Sequence, residues 1–257
     1  MVSLRMVVVV CACMKLGCAI AAPRPLEQAL EKVEQNQDRW AFTQTFVERD
    51  DKGKVRETIV VRFDPSKPYE EQFTPLSVDG GPPTPAVIRR YRKEGEKRAE
   101  RRENPERSAG RRGSRPTLGE LMDIERATLA SEDDQRWVYE VPLRTEGNKR
   151  LPPEKFQVFA EVSKTSEAFA QIEVTLRSPM RAGVVVKIKS GAGKLQFAEV
   201  APEYPPTLTR IEGGGVGSVV FIKVGRRYEI SRSDFARVKP YQDRFEVKFG
   251  PMQTIDF

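Results

Sequence analysis

Residues 155–189 run KFQVFAEVSKTSEAFAQIEVTLRSPMRAGVVVKIK. Apolar side chains occupy every second position over three segments. The first is Phe156, Val158, Ala160 and Val162. The second is Ala170, Ile172, Val174 and Leu176, and the third is Val184, Val186 and Ile188. Polar neighbours such as Gln171, Glu173, Thr175, Lys187 and Lys189 fill the alternate places. A period of two marks strands with one buried and one wet face, which antiparallel sheets tolerate and all-parallel sheets do not. The stretch therefore predicts a three-strand antiparallel meander. Because Val158, Val162, Ile172 and Val174 are all even-numbered, sharing a face requires an odd loop such as Lys164-Thr165-Ser166, or a bulge.

Working outward, strand patterns recur on both sides. Trp40, Phe42 and Phe46 precede the turn chemistry of Asp50-Asp51-Lys52-Gly53, and Ile59, Val61 and Phe63 follow it, so Trp40–Phe63 predicts a hairpin. A shorter strand is expected around Glu71–Val78. Trp137, Tyr139, Val141 and Leu143 alternate after the turn Glu132–Gln135. Further strands are expected at Lys194–Val200, from Leu208, at Val219–Val224, at Tyr228–Ile230 and at Arg244–Phe249. Ser190–Gly193, Gly213–Gly215 and Gly225-Arg226 are read as turns or breaks.

Helical signals are fewer. Leu26, Ala29, Leu30 and Val33 make one apolar stripe. Thr84-Pro85 opens a second helix with Val87, Ile88 and Tyr91 on its apolar face. Thr117-Leu118-Gly119-Glu120 matches a capping box. The fold expected is mostly β, within the α+β class: one large curved antiparallel sheet or incomplete barrel, with two or three short helices covering its concave face.

The N-terminus has a leader's grammar. Arg5 precedes the apolar run Met6–Met14, and Ala19-Ile20-Ala21 offers a small-x-small cleavage site. The run falls short of the about 20 apolar residues a membrane span needs. Residues 1–21 are thus expected to be a signal peptide, residues 22–257 a single domain, and the protein exported and periplasmic. Lipid anchoring at Cys13 or Cys18 is the less favoured alternative. These and Cys11 are the only cysteines, so cleavage after Ala21 leaves none to staple the fold.

The chain has 44 Lys and Arg against 37 Asp and Glu. The excess is concentrated in residues 89–116, which hold twelve Lys/Arg and five Glu, with Pro105, Gly110 and Gly113 breaking the later part into an exposed loop. Either this insertion is a solvated surface, or Arg89, Arg90, Arg92, Arg107, Arg111, Arg112 and Arg115 contact an anionic membrane surface or envelope partner.

The chain has no histidine, which excludes Ser-His-Asp and Cys-His catalysis and histidine-ligated zinc. Gly191-Ala192-Gly193-Lys194 lacks the first glycine of a phosphate loop and has Leu195 where Ser or Thr belongs. No metal, cofactor or nucleic acid is expected, and no enzymatic activity. The aromatics Trp40, Phe42, Phe46, Phe63, Trp137 and Tyr139, with Val158 and Val174, either pack an ordinary core or line a site for an apolar ligand.

A leader, an early amphipathic helix, a long antiparallel meander and helices inserted before its middle strands together resemble the LolA/LolB-type lipoprotein carriers and receptors. The resemblance lies in element order over about Pro25–Phe257. It implies an incompletely closed barrel covered by helices around an apolar cavity, and a monomer binding lipid or lipoprotein acyl chains. Arg62-Phe63-Asp64-Pro65 and Ser77–Thr84 are also similar to uncharacterised exported bacterial proteins, which imply no function.

Overall fold

The computed structural model describes residues 22–36, 38–103, 117–145, 152–182, 186–219 and 222–244. The expected leader at 1–21, the stretch 104–116 with Arg107, Arg111, Arg112 and Arg115, and all but Arg244 of the expected terminal strand lie outside them. So do residues 220 and 221 of the strand expected at Val219–Val224.

Among the described residues eleven strands form one open antiparallel sheet. They are β1 (Trp40–Asp50), β2 (Val55–Phe63), β3 (Phe73–Val78), β4 (Thr128–Glu132), β5 (Arg136–Glu140), β6 (Phe156–Ser163), β7 (Ala168–Leu176), β8 (Met180–Ala182), β9 (Val186–Ala198), β10 (Thr207–Val219) and β11 (Ile222–Arg237). Their order is β3-β2-β1-β11-β10-β9-β7-β6-β5-β4, with β8 paired to β9 beside this path. The longest-range pairing joins β1 to β11, bringing the two ends of the described chain together at the centre of the sheet.

Among the described residues three α-helices accompany it: α1 (Arg24–Asn36), α2 (Pro85–Glu103) and α3 (Leu118–Leu121). α1 buries Leu26, Ala29 and Leu30 on β6 and β7, as its stripe predicts. Full burial of such a leucine contributes about 1.5–3 kcal/mol. Lys32 Nζ ties the helix to the β6–β7 turn by donating to the Ser166 and Glu167 carbonyls at 2.8 and 3.1 Å. α3 begins in the predicted capping box: Glu120 N–H donates to Thr117 Oγ1 at 3.2 Å, and Thr117 N–H to Glu120 Oε2 at 2.7 Å.

α2 is longer than its apolar face suggests, because its anchor is not apolar. Gly95 is buried, and a Cβ there would meet the Tyr69 carbonyl oxygen at 2.3 Å and Glu70 Cα at 2.6 Å. The missing side chain lets the helix rest directly on the Tyr69–Glu70 backbone. Three residues on, Arg98 lies 4.1 Å above the Phe73 ring.

The β6–β7 turn has four residues, Lys164–Glu167, and the register shifts at Glu161/Val162. The bulge is thus the device that keeps Val162 and Ile172 on one face. It gives the inward place opposite Val162 to Phe169, 1% exposed, where alternation assigns it to Ala170. The partner of β7 within β9 is Ala192–Gln196 and not Val184–Ile188; Val186–Ile188 pairs with β8 instead.

The glycine runs are also corrected. Gly191 and Gly193 lie inside β9, Gly213–Gly215 inside β10, and Gly225-Arg226 inside β11; none is a turn. Ladder pairing overrides the local preference of glycine for turns. Gly213 opposes Gly193 and Gly215 opposes Gly191. Close backbone approach explains the residue type: a Cβ on Gly215 would meet the Ser190 carbonyl oxygen at 2.8 Å, and one on Gly217 that of Lys187 at 2.5 Å.

Gly95→Ala tests the α2 anchor. Alanine should favour an exposed helix by about 1 kcal/mol over glycine, whereas overpacking against a fixed backbone costs about 1–3 kcal/mol. The expected outcome is a lower urea midpoint; a higher one would mean that α2 does not rest on Tyr69–Glu70.

Candidate functional site

Register places one apolar row across the sheet. From the β3 edge inward it runs Val78, Ile59, Phe46, Ile230 and Ile211, each directly opposite the next. It continues through Leu195, Ile172, Ala160 and Tyr139 to Leu129. Directly opposed residues share a face, so ten strands contribute to one inner face.

Burial along this row is uneven. At the α1 end, Ile172, Ala160 and Tyr139 are buried with Val158, Val162, Val141 and Met122 in the main core. At the β3 end Ile59 is buried. Between them Phe46, Ile230, Ile211 and Leu195 are only half-buried. Among the described residues the helices meet the sheet extensively at β3, β6 and β7, and not over these central strands. Beside the central row lie Gly213 and Gly193, flanked by Val174 on β7 and Tyr228 on β11. The Tyr228 ring lies across Gly213, where a Cβ would meet its hydroxyl oxygen at 2.3 Å, and Tyr228 is 42% exposed.

A second cluster borders this strip. Phe42, Phe63 and Phe73 stand opposite one another on β1, β2 and β3. Phe235 joins them because the β1–β11 register shifts beside Asp234, whose φ is 52°. Short Asp side chains tolerate that left-handed conformation. Trp40 meets Tyr204 edge-on at 5.3 Å and Phe235 at 6.1 Å.

Guanidinium groups cap these rings. Arg232 lies 4.3 Å above Phe42, and Arg237 lies 4.3 Å above Tyr204 and 5.1 Å above Trp40. Arg237 donates to Asn36 Oδ1 at 2.7 Å, at the C-terminus of α1, where the helix dipole favours a cation. Arg232 has less compensation. Its Nη1 donates to the Leu208 carbonyl at 3.2 Å, while its buried Nε has no acceptor among the described residues. Burial pushes its pKa down to about 10, so it is still charged at neutral pH.

The predicted lining residues thus separate. Trp40, Phe42 and Phe63 belong to the aromatic cluster, and Phe46 to the half-buried strip. Tyr139 and Val158 are buried in the main core, with Val174 packed partly against it. Trp137 also packs there, its Nε1 donating to Glu132 Oε1 at 3.1 Å beneath Lys164. Arg89, Arg90 and Arg92 are exposed on α2. Sequence alternation passed over Arg232, Arg237 and Phe235, and reads Tyr228 as a strand residue without assigning it to a site; the RxxxxR spacing of the arginines resembles any solvated strand.

Among the described residues no group of three His, Cys, Asp or Glu is placed to hold a metal ion, and no helix is long and apolar enough to cross a membrane. No protein-family model, curated protein or solved structure matches the chain.

Arg232 should cost stability. A base whose pKa is lower in the folded chain holds its proton less well there than when unfolded, so the folded state gains as pH rises above about 10. Replacing a buried charge by a similar-sized apolar side chain is often neutral or stabilising. Arg232→Met is expected to leave the urea midpoint at pH 7 unchanged or higher, with the advantage shrinking above pH 10. A loss exceeding about 1 kcal/mol would make the Arg232–Phe42 stack structural.

Proposed function

We propose that the protein binds an apolar or amphiphilic ligand, such as the acyl chains of a lipid or lipoprotein, on the inner face of the sheet. The observation that carries this proposal is the half-buried strip Phe46–Ile230–Ile211–Leu195 between two helix-covered ends. A row of large apolar side chains on a wet surface gains little unless something apolar covers it. Gly193 beside it leaves room for a chain to lie close to the backbone, with the Tyr228 ring, lying across Gly213, at the margin. An open antiparallel sheet with helices on one face supports a carrier or receptor of LolA/LolB-like design, non-enzymatic, monomeric and exported to the periplasm.

Val174 faces Gly193, and nothing but the Glu212 carbonyl oxygen lies within 4 Å of a Cβ built there. Val174→Phe therefore has space to fill and is expected to weaken binding of a fluorescent fatty-acid probe with little change in denaturation midpoint. Val158→Phe, at a position 2% exposed, should instead overpack at about 1–3 kcal/mol. No probe binding by the parent chain would overturn the proposal.

A second reading rests on α2. Gly95 and Arg98 hold one side of this helix, leaving Arg89, Arg90, Arg92, Lys93 and Lys97 exposed. Docking on an anionic envelope surface would use that side. Salt-sensitive adsorption to anionic vesicles, weakened when Arg89, Arg90 and Arg92 are neutralised, is the expected result; adsorption indifferent to salt and to these changes would remove it.

A further inference from the structure

We propose that Arg232 binds the anionic head of a single-chain amphiphile whose alkyl chain lies along Ile230 and Ile211. This rests on the apolar strip being a binding surface, and goes further by naming the ligand's charge and the residue that reads it.

The placement follows from the β11 register. Arg232 pairs with Gln44 and Ile230 with Phe46, so the guanidinium-bearing residue is on the inner face, roughly 7 Å along the strand from the start of the strip. From Phe46 to Leu195 the strip crosses three strand spacings, roughly 14 Å. A linear chain laid across β11, β10 and β9 would have its head beside Arg232 and its tail towards Gly193.

The chemistry calls for an acceptor. Arg232 forms no ion pair with any described residue; its two neighbours in the hydrogen-bonding and ring-stacking sense are the Leu208 carbonyl and the Phe42 ring. A second buried donor of the same aromatic cluster, Trp40 Nε1 on a residue 5% exposed, also has no acceptor among the described residues. Buried donors are almost always satisfied, and a buried guanidinium is normally met by a carboxylate or phosphate. The other inner-face arginines differ: Arg237 has Asn36 and the end of α1, and Arg226 has Glu48 at 2.6 Å. Among the described residues Arg232 is the inner-face arginine set beside apolar surface with its charge unanswered. Its weakened basicity fits a cation waiting for a counter-charge.

Dansylaminoundecanoate and its methyl ester share chain and fluorophore and differ in the charge at the head. The full chain is expected to bind the acid at least about tenfold more tightly than the ester. In Arg232→Met the acid should fall to the level of the ester, while the ester is unchanged. Arg232→Lys, which keeps the charge without the planar fork, should retain part of the preference. Unfolding midpoints of both variants establish that they are folded, and Arg232→Lys decides the outcome if Arg232→Met is not. Equal binding of acid and ester by the parent chain would overturn the role of Arg232 and leave the apolar strip standing. Equal weakening of both probes in Arg232→Met would make the residue structural. If neither probe binds, the strip and the head-group site fall together. Acetate and inorganic phosphate carry the charge without the chain; displacement of the acid by either at equimolar concentration would assign Arg232 to a free anion and overturn the amphiphile.

Discussion

The constraint on which the molecule depends is register. Ten strands place an apolar residue on the same transverse row, and a slip of one residue in any of them would turn that residue to solvent. Two local irregularities bring additional aromatic rings onto the same face. The bulge at Glu161/Val162 brings Phe169 into the face. The left-handed Asp234 does the same for Phe235, and its carbonyl accepts from Arg62 Nη1 at 2.8 Å. Both extra residues sit where strict alternation would have put a small or charged side chain inward.

Around that row the helices are distributed unequally. α1 covers β6 and β7, and α3 packs on α1 closely enough that a Cβ on Gly119 would meet Glu34 Oε1 at 2.8 Å. α2 guards the β3 edge, resting on backbone through Gly95. Pro75 also lies on this edge strand, where a missing amide donor is tolerated. The centre, where β1 meets β11, is held by long ladder pairings and not by a helix roof. This division puts the buried apolar contacts at the covered ends and leaves the middle row half-buried.

The aromatic cluster carries the same division into electrostatics. Its rings pack as a core would, yet arginines stand on them in place of aliphatic side chains. Ring stacking offsets part of the cost of burying a guanidinium, and the end of α1 offsets more for Arg237. For Arg232 the balance stays unfavourable in the free chain.

Much of the architecture was legible in the residues alone. The period-two runs at Trp40–Phe63 and Phe156–Leu176, the stripe of α1 and the capping box at Thr117 each depend on contacts close in sequence, so their patterns survive in isolation. The mostly β class follows from them. The glycine segments were misread because a turn and a close-packed ladder ask for the same missing side chain, and only the facing strand distinguishes them. The length of α2 was hidden because its anchor is a glycine on a distant backbone. Of the candidate site, Phe46, Val174 and the aromatics at positions 40, 42 and 63 were visible as inward residues; Arg232 was not. An arginine on a strand is ordinary until β1 and β10 close around it, and its burial and want of an ion-pair partner belong to the tertiary structure, since they are set by residues far from it in sequence.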